Sequence, residues 1–155
     1  LVYLPPTASQ EVFFSVQDAD RNHHYQKTFK ISGQGGIVQF TLPDDAPELE
    51  MGKEYVWHWS QSIAPDGILR PDNYSVTEWI KRVESPVPSD RVSSLTPIKL
   101  ATIYATEGIW YYTLEVLHSA KLAQPDDTTL ASEWSDLLKQ VGLEAIASQP
   151  ITEQL

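Results

Sequence analysis

Four histidines, two groups of acidic residues and one glycine cluster are the places where this 155-residue chain could do chemistry. His23 and His24 are adjacent, so on a strand they point to opposite faces and cannot readily share a ligand. His58 stands between Trp57 and Trp59 and points away from both, and His118 stands alone. No H-E-x-x-H or H-x-x-x-H spacing occurs, so the histidines are expected to be solvated or hydrogen-bonded rather than metal ligands. Asp18-Ala19-Asp20-Arg21-Asn22 offers oxygen atoms at alternate positions, as a calcium loop begins. The pattern then breaks: His23 takes the place of the required glycine and Phe29 that of the closing glutamate, which leaves a plain turn. Asp44, Asp45, Glu48 and Glu50 spread over a segment broken by Pro43 and Pro47 and read as solvated charge. Gly33-Gln34-Gly35-Gly36 lacks the lysine and the following helix of a phosphate loop. There is no G-x-S-x-G, no S-x-x-K and no cysteine, and no pair of carboxylates is singled out. The expectation is a protein with no catalytic, cofactor or metal site.

Composition narrows the partners. With 21 acidic against 11 basic side chains the chain carries −10, which opposes electrostatic binding of nucleic acid. Residues 1–88 and 89–155 each carry −5, so no charged arm is implied. The absence of cysteine removes zinc ribbons, thiol catalysis and disulfide scaffolds. A chain of this length buries roughly 70% of its unfolded surface and can fold without such staples. No apolar run is long enough to span a membrane. The opening Leu1-Val2-Tyr3-Leu4 is apolar with no polar lead-in, which suggests that residues upstream have been removed and marks this stretch as a possible assembly segment.

The elements that would position any site change character along the chain. Val12, Phe14 and Val16 alternate with polar neighbours; Tyr25, Phe29 and Ile31 resume the pattern after a polar connection. The Gly33–Gly36 cluster signals a hairpin turn, and Val38, Phe40 and Leu42 alternate beyond it. Tyr55, Trp57 and Trp59 form a further strand, and a last one runs from Tyr74 to Val83 with Val76 and Ile80 opposite Trp79 and Val83. Pro65, Gly67 and Pro71 suggest a long loop between Gln61 and Asn73, and Asn73-Tyr74-Ser75 fits a glycosylation acceptor. Short strands at this spacing read as an antiparallel β-sandwich. Ser85-Pro86-Val87-Pro88-Ser89 is the linker. Three helices follow: one capped by Thr96 with Pro97 in its first turn and stopped by Gly108, a second from about Ile109 to Gln124, and a third capped by Asp127 or Thr128 and ending at Gly142.

Three resemblances add to this pattern. Leu49-Glu50-Met51-Gly52-Lys53-Glu54-Tyr55 resembles the tyrosine corner of fibronectin type III and related immunoglobulin-like domains, with Leu49, Gly52 and Tyr55 as its structural residues. Leu100, Ala101, Tyr104, Gly108, Trp110, Leu114, Leu117, Ala120 and Pro125 fall at spacings similar to a tetratricopeptide hairpin, with the third helix as its cap. Thr113 and Pro97 depart from that motif. The whole chain resembles a cyanobacterial family of unknown function, domain of unknown function 928. That resemblance runs through Leu1-Val2-Tyr3-Leu4-Pro5, Gly36-Ile37-Val38, the Leu49–Tyr55 stretch and Trp79-Ile80-Lys81-Arg82-Val83-Glu84. It continues in Gly108-Ile109-Trp110-Tyr111, Trp134-Ser135-Asp136-Leu137-Leu138 and Val141-Gly142-Leu143-Glu144-Ala145-Ile146-Ala147. It implies a secreted protein, extracellular or periplasmic, and brings no catalytic residue with it.

Together these features specify an α+β chain: an immunoglobulin- or fibronectin-III-like antiparallel β-sandwich over residues 1–88 and a three-helix tetratricopeptide-like bundle with a C-terminal tail over 89–155. The expected function is that of a non-catalytic secreted or surface structural protein, the self-associating subunit of a filament or envelope layer. The alternative is a monomeric binding module for another envelope protein or a polysaccharide, with Trp57, Trp59 and Trp79 as an aromatic platform if they are not core residues.

Overall fold

The computed structural model describes residues 1–61 and 73–155, so the loop expected around Pro65, Gly67 and Pro71 lies outside the described residues. The chain is α+β and forms two compact units, one from 2–84 with 151–155, the other from 85–150 with Leu1.

The first unit contains β1 (Val2–Leu4), β2 (Glu11–Asp18), β3 (His23–Lys30), β4 (Gly36–Gln39), β5 (Glu54–Gln61), β6 (Ser75–Lys81) and β7 (Ile151–Gln154). They make a four-stranded sheet, β3-β2-β5-β6, and a three-stranded sheet, β1-β4-β7. Period-two alternation does what it must on a pleated strand: Val12, Phe14 and Val16 of β2 are all buried, as are Tyr55 and Trp59 of β5. Register then stacks them, with Phe14 opposite Trp59 and Val16 opposite Trp57. Leu4 and Val38 of the small sheet join these side chains in one apolar core. Burying the Trp59 ring, which removes on the order of 200 Å2 from water, is worth up to about 5 kcal/mol.

Three features depart from the sequence pattern. The glycine cluster does not close a hairpin; it carries the chain from β3 in one sheet to β4 in the other. Gly33 and Gly35 have φ of +74° and +77°, and a Cβ would meet the Thr7 carbonyl oxygen or the Pro6 nitrogen at 2.5 Å, so their role is close approach to the β1–β2 connection. The tail expected with the helices forms β7, which pairs parallel with β4, so the small sheet is mixed rather than antiparallel. Four residues after Pro150 are too few to show a period, and a partner more than a hundred residues away leaves no local trace. Finally, Leu1–Leu4 supplies a strand to the chain's own sheet: Val2, Tyr3 and Leu4 pair with Val38, Ile37 and Gly36.

The second unit contains α1 (Ser89–Val92), α2 (Pro97–Thr106), α3 (Trp110–Ala123) and α4 (Thr128–Gln140), followed by a 3-10 turn at Glu144–Ile146. α1 was not anticipated; one helical turn inside a proline-rich segment carries no period. The longer helices start and stop where their caps require. Thr96 Oγ1 accepts the Lys99 N–H at 3.4 Å, and Asp127 Oδ1 accepts those of Thr129 and Leu130 at 2.8 and 3.2 Å. At the other ends Ile109 N–H reaches Tyr104 O and Leu143 N–H reaches Leu138 O, both at 2.8 Å, closing glycine-terminated turns at Gly108 and Gly142. α2 packs on α3 through Leu100, Ala101 and Tyr104, and α3 packs on α4, which buries Leu130, Trp134 and Leu138.

Because Asp127 satisfies two first-turn donors that no other side chain reaches, Asp127→Ala is expected to destabilise the helical unit by about 1 kcal/mol, and Asp127→Asn by clearly less. Urea unfolding followed by far-UV circular dichroism, with an unchanged slope in each variant, is the check.

Candidate functional site

Several of the residues that first suggested chemistry are separated and hydrogen-bonded to their own surroundings. His24 Nε2–H donates to the Pro47 carbonyl at 2.8 Å and its ring sits 5.0 Å from that of Tyr55. His58 Nδ1 lies 2.8 Å from Thr77 Oγ1 on the neighbouring strand. Asp18 Oδ1 accepts the N–H groups of Asp20 and Asn22 at 3.1 and 2.9 Å, closing the β2–β3 turn around a left-handed Arg21. The Asn22 N–H foremost, with the Asn22 side chain and Lys53, holds the Asp18 carboxyl below the usual aspartate range. Three acids of the proline-broken segment take separate partners: Asp45 takes Lys27 and Tyr25, Glu48 takes Arg82, and Glu50 takes Lys53. Among the described residues no three histidine or carboxylate side chains are placed to hold a metal ion. No helix among the described residues is long and apolar enough to cross a membrane.

At the start of β5 the Glu50 N–H donates to the hydroxyl of the fully buried Tyr55 at 3.1 Å. Gly52 turns the chain at φ +78° and donates its N–H to Arg82 O at 2.8 Å. Arg82 Nη1 binds Leu49 O at 3.0 Å, and Lys53 Nζ lies 5.4 Å from the Tyr55 ring. The corner joins an apolar ring to a polar shell and offers no open site.

Among the described residues an open groove lies in the helical unit. Leu95, Leu100, Tyr104, Tyr112, Val116 and Ala120 wall a groove of about 480 Å3, with Glu115 and Ser119 along it. Small side chains make it: Ala120 and Ala123 leave room where α3 would otherwise fill the gap. Tyr104 and Tyr112 stack at 5.3 Å with a 28° tilt, and the Tyr104 hydroxyl shares a hydrogen bond with Ser85 Oγ at 3.3 Å. Of the hairpin residues singled out in the sequence, Leu100, Tyr104 and Ala120 line this groove. Leu117 and Ala101 are buried outside its lining, Gly108 ends α2, Trp110 opens α3 half-buried and Pro125 follows α3 exposed. Sequence reasoning missed Leu95, Tyr112 and Val116. The signal for Tyr112 and Val116 was a second stripe on α3, Tyr112, Val116, Ala120 and Ala123, whereas Leu95, ahead of α2, carried none.

On α3, His118 is completely buried and neither ring nitrogen has a protein partner. Its ring lies 6.4 Å from that of Trp134, whose Nε1–H donates to Ala147 O at 3.1 Å and whose face takes Lys121 Nζ at 5.6 Å. Burial, reinforced by nearby positive charge including Lys121, lowers the His118 pKa. The unfolded chain therefore takes up a proton at a higher pH than the folded chain. Stability is unaffected by this group above the ordinary histidine pKa of about 6.5 and falls as pH drops below it toward the folded value. His118→Leu is expected to flatten that part of the profile, measured as urea midpoints between about pH 7.5 and 5; an unchanged slope would contradict the assignment. Asp18, with a depressed carboxyl, loses its contribution only at more acid pH.

Comparison with known proteins agrees in extent with the whole fold. The family model described as Domain of Unknown Function (DUF928) matches residues 1–151 and thus takes in both units. No curated protein and no solved structure matches the chain. With nearly every residue of both units inside the matched span, the chain belongs to the DUF928 family.

Proposed function

We propose that the protein is a non-catalytic structural subunit that works by self-association, secreted to the cell surface or envelope and building a filament or layer there. The observation that carries this is the open apolar groove of the helical unit. A cleft walled by Leu100, Tyr104, Tyr112 and Val116 is suited to packing side chains, and Glu115 is the one carboxylate among its lining residues. Exposed apolar side chains on the same unit, Leu122, Val141 and Leu143, supply further surface of the matching kind.

The finer architecture belongs to the same proposal. The sheet unit is read as an immunoglobulin- or fibronectin-III-like sandwich, a view supported by two sheets lining one core and by the Glu50–Tyr55 bond beside Gly52. The helical unit is read as one tetratricopeptide-like hairpin, α2 and α3, with α4 as its cap. A single unit of that kind leaves a face that a stacked neighbour would normally cover. The alternative, a polysaccharide-binding module, draws less support: of the three strand tryptophans, Trp59 is buried, Trp57 is half-buried and Trp79 alone is exposed.

Size-exclusion chromatography with light scattering, and electron microscopy over a range of concentrations, test the proposal. Concentration-dependent oligomers or filaments are expected; a monomer at every concentration, in native-source material as well, would sink it.

A further inference from the structure

One imidazole in the helical unit is poorly placed to hold a proton while the helices are closed. His118 of α3 is completely buried, and neither Nδ1 nor Nε2 has a hydrogen-bond partner. Protonation would turn the ring into two N–H donors and a full charge with nothing to receive them, and an unpaired buried charge costs far more than an unpaired neutral group.

The surrounding charges do not relieve that cost. On α3 itself Lys121 stands three residues on, its ammonium 5.6 Å from the centre of the Trp134 ring. The Leu1 amino group is the second positive charge that acts on the imidazole. Glu115, three residues before His118, acts on that amino group and makes no bond to the imidazole. From α4 the Trp134 ring comes within 6.4 Å, and that helix's Glu133, Asp136 and Lys139 are exposed, as are Lys99 and Glu107 of α2.

The element that covers His118 is also lightly held. α4 meets α3 over a smaller contact than α2 does, and its buried side chains are Leu130, Trp134 and Leu138. Its capping and side-chain hydrogen bonds run to its own flanks: Asp127 at its start, Leu143 and Ala147 beyond its end. α4 can therefore part from α3 without breaking any of them, and an element bound by few contacts is the first to open. We infer that the contact between α3 and α4 is a pH-sensitive joint: protonation of His118 releases α4 and uncovers Leu130, Trp134 and Leu138, while α2 and α3 stay paired. The open form takes up the proton at the ordinary histidine pKa, so opening grows as pH falls through about 6.5 and is indifferent to pH above it.

Hydrogen–deuterium exchange of the full chain between pH 7.5 and 5, read by mass spectrometry and corrected for intrinsic exchange rates, tests the joint. The opening constant of the α4 amides is expected to rise up to about thirtyfold over that range, the limit set by an open-state histidine titrating near 6.5 and a closed one that stays neutral. Amides of α2 and of strands β2 and β5 should gain much less. His118→Leu, or His118→Asn if the leucine variant folds poorly, should keep α4 at its pH 7.5 protection throughout. The chain with an acetylated amino terminus should keep the response, since the imidazole stays buried when that charge is gone. Unchanged α4 protection at pH 5, an equal gain in the sheet strands, a response that persists without His118, or its loss on acetylation would each overturn the inference.

Discussion

At the centre of the sheet unit the ring of Phe40 lies 4.2 Å from Phe14, 5.2 Å from Phe29 and 5.5 Å from Trp59, and the two sheets meet around it. Phe40 falls just beyond the last residue of β4, where the ladder with β1 no longer holds the backbone. What holds it is the far end of the chain: Leu155 N–H donates to Gln39 O and Thr41 N–H donates to Leu155 O, both at 2.8 Å. The aromatic cluster therefore depends on a segment from the opposite end of the sequence. The chain leaves the sheet unit at Glu84 and returns to it at Ile151, with the helical unit between. Closing so long a loop costs entropy that the contacts of the formed core must offset.

This explains what could be read from the sequence and what could not. Strands whose partners are near in sequence declared themselves: Val12, Phe14 and Val16 alternate, Tyr55 and Trp59 alternate, and burial follows the period. Helix ends were legible for a related reason, since Thr96, Asp127, Gly108 and Gly142 act on backbone groups within a few residues. The partition of strands between two sheets was not legible, because one glycine turn serves a hairpin and a crossover equally well. Nor was β7, whose four residues become a strand only because β4 offers an edge.

The groove was half legible for a different reason. Leu100, Tyr104 and Ala120 were noticed because large and small apolar residues at helical spacing mark where two helices touch. Tyr112 and Val116 went unnoticed because a stripe that packs only partly, leaving a groove open, looks the same in sequence as one that packs fully. His118 illustrates the same blindness in reverse: a lone histidine reads as solvated, yet the fold encloses it completely. Burial of a polar ring without partners is a property of the assembled helices, and no local pattern announces it.

The placement of the tryptophans has a spectroscopic consequence. Each unit buries one: Trp59 among aromatic rings in the sheets and Trp134 beside an imidazole and under an ammonium in the helices. Indole emission reports local polarity, and a protonated imidazole nearby quenches it. Trp134 and Trp59 are thus the two buried emitters, one per unit, over the emission of Trp57, Trp79 and Trp110. Replacing one indole at a time would let the opening of the helices be followed independently of the sheets, with light alone.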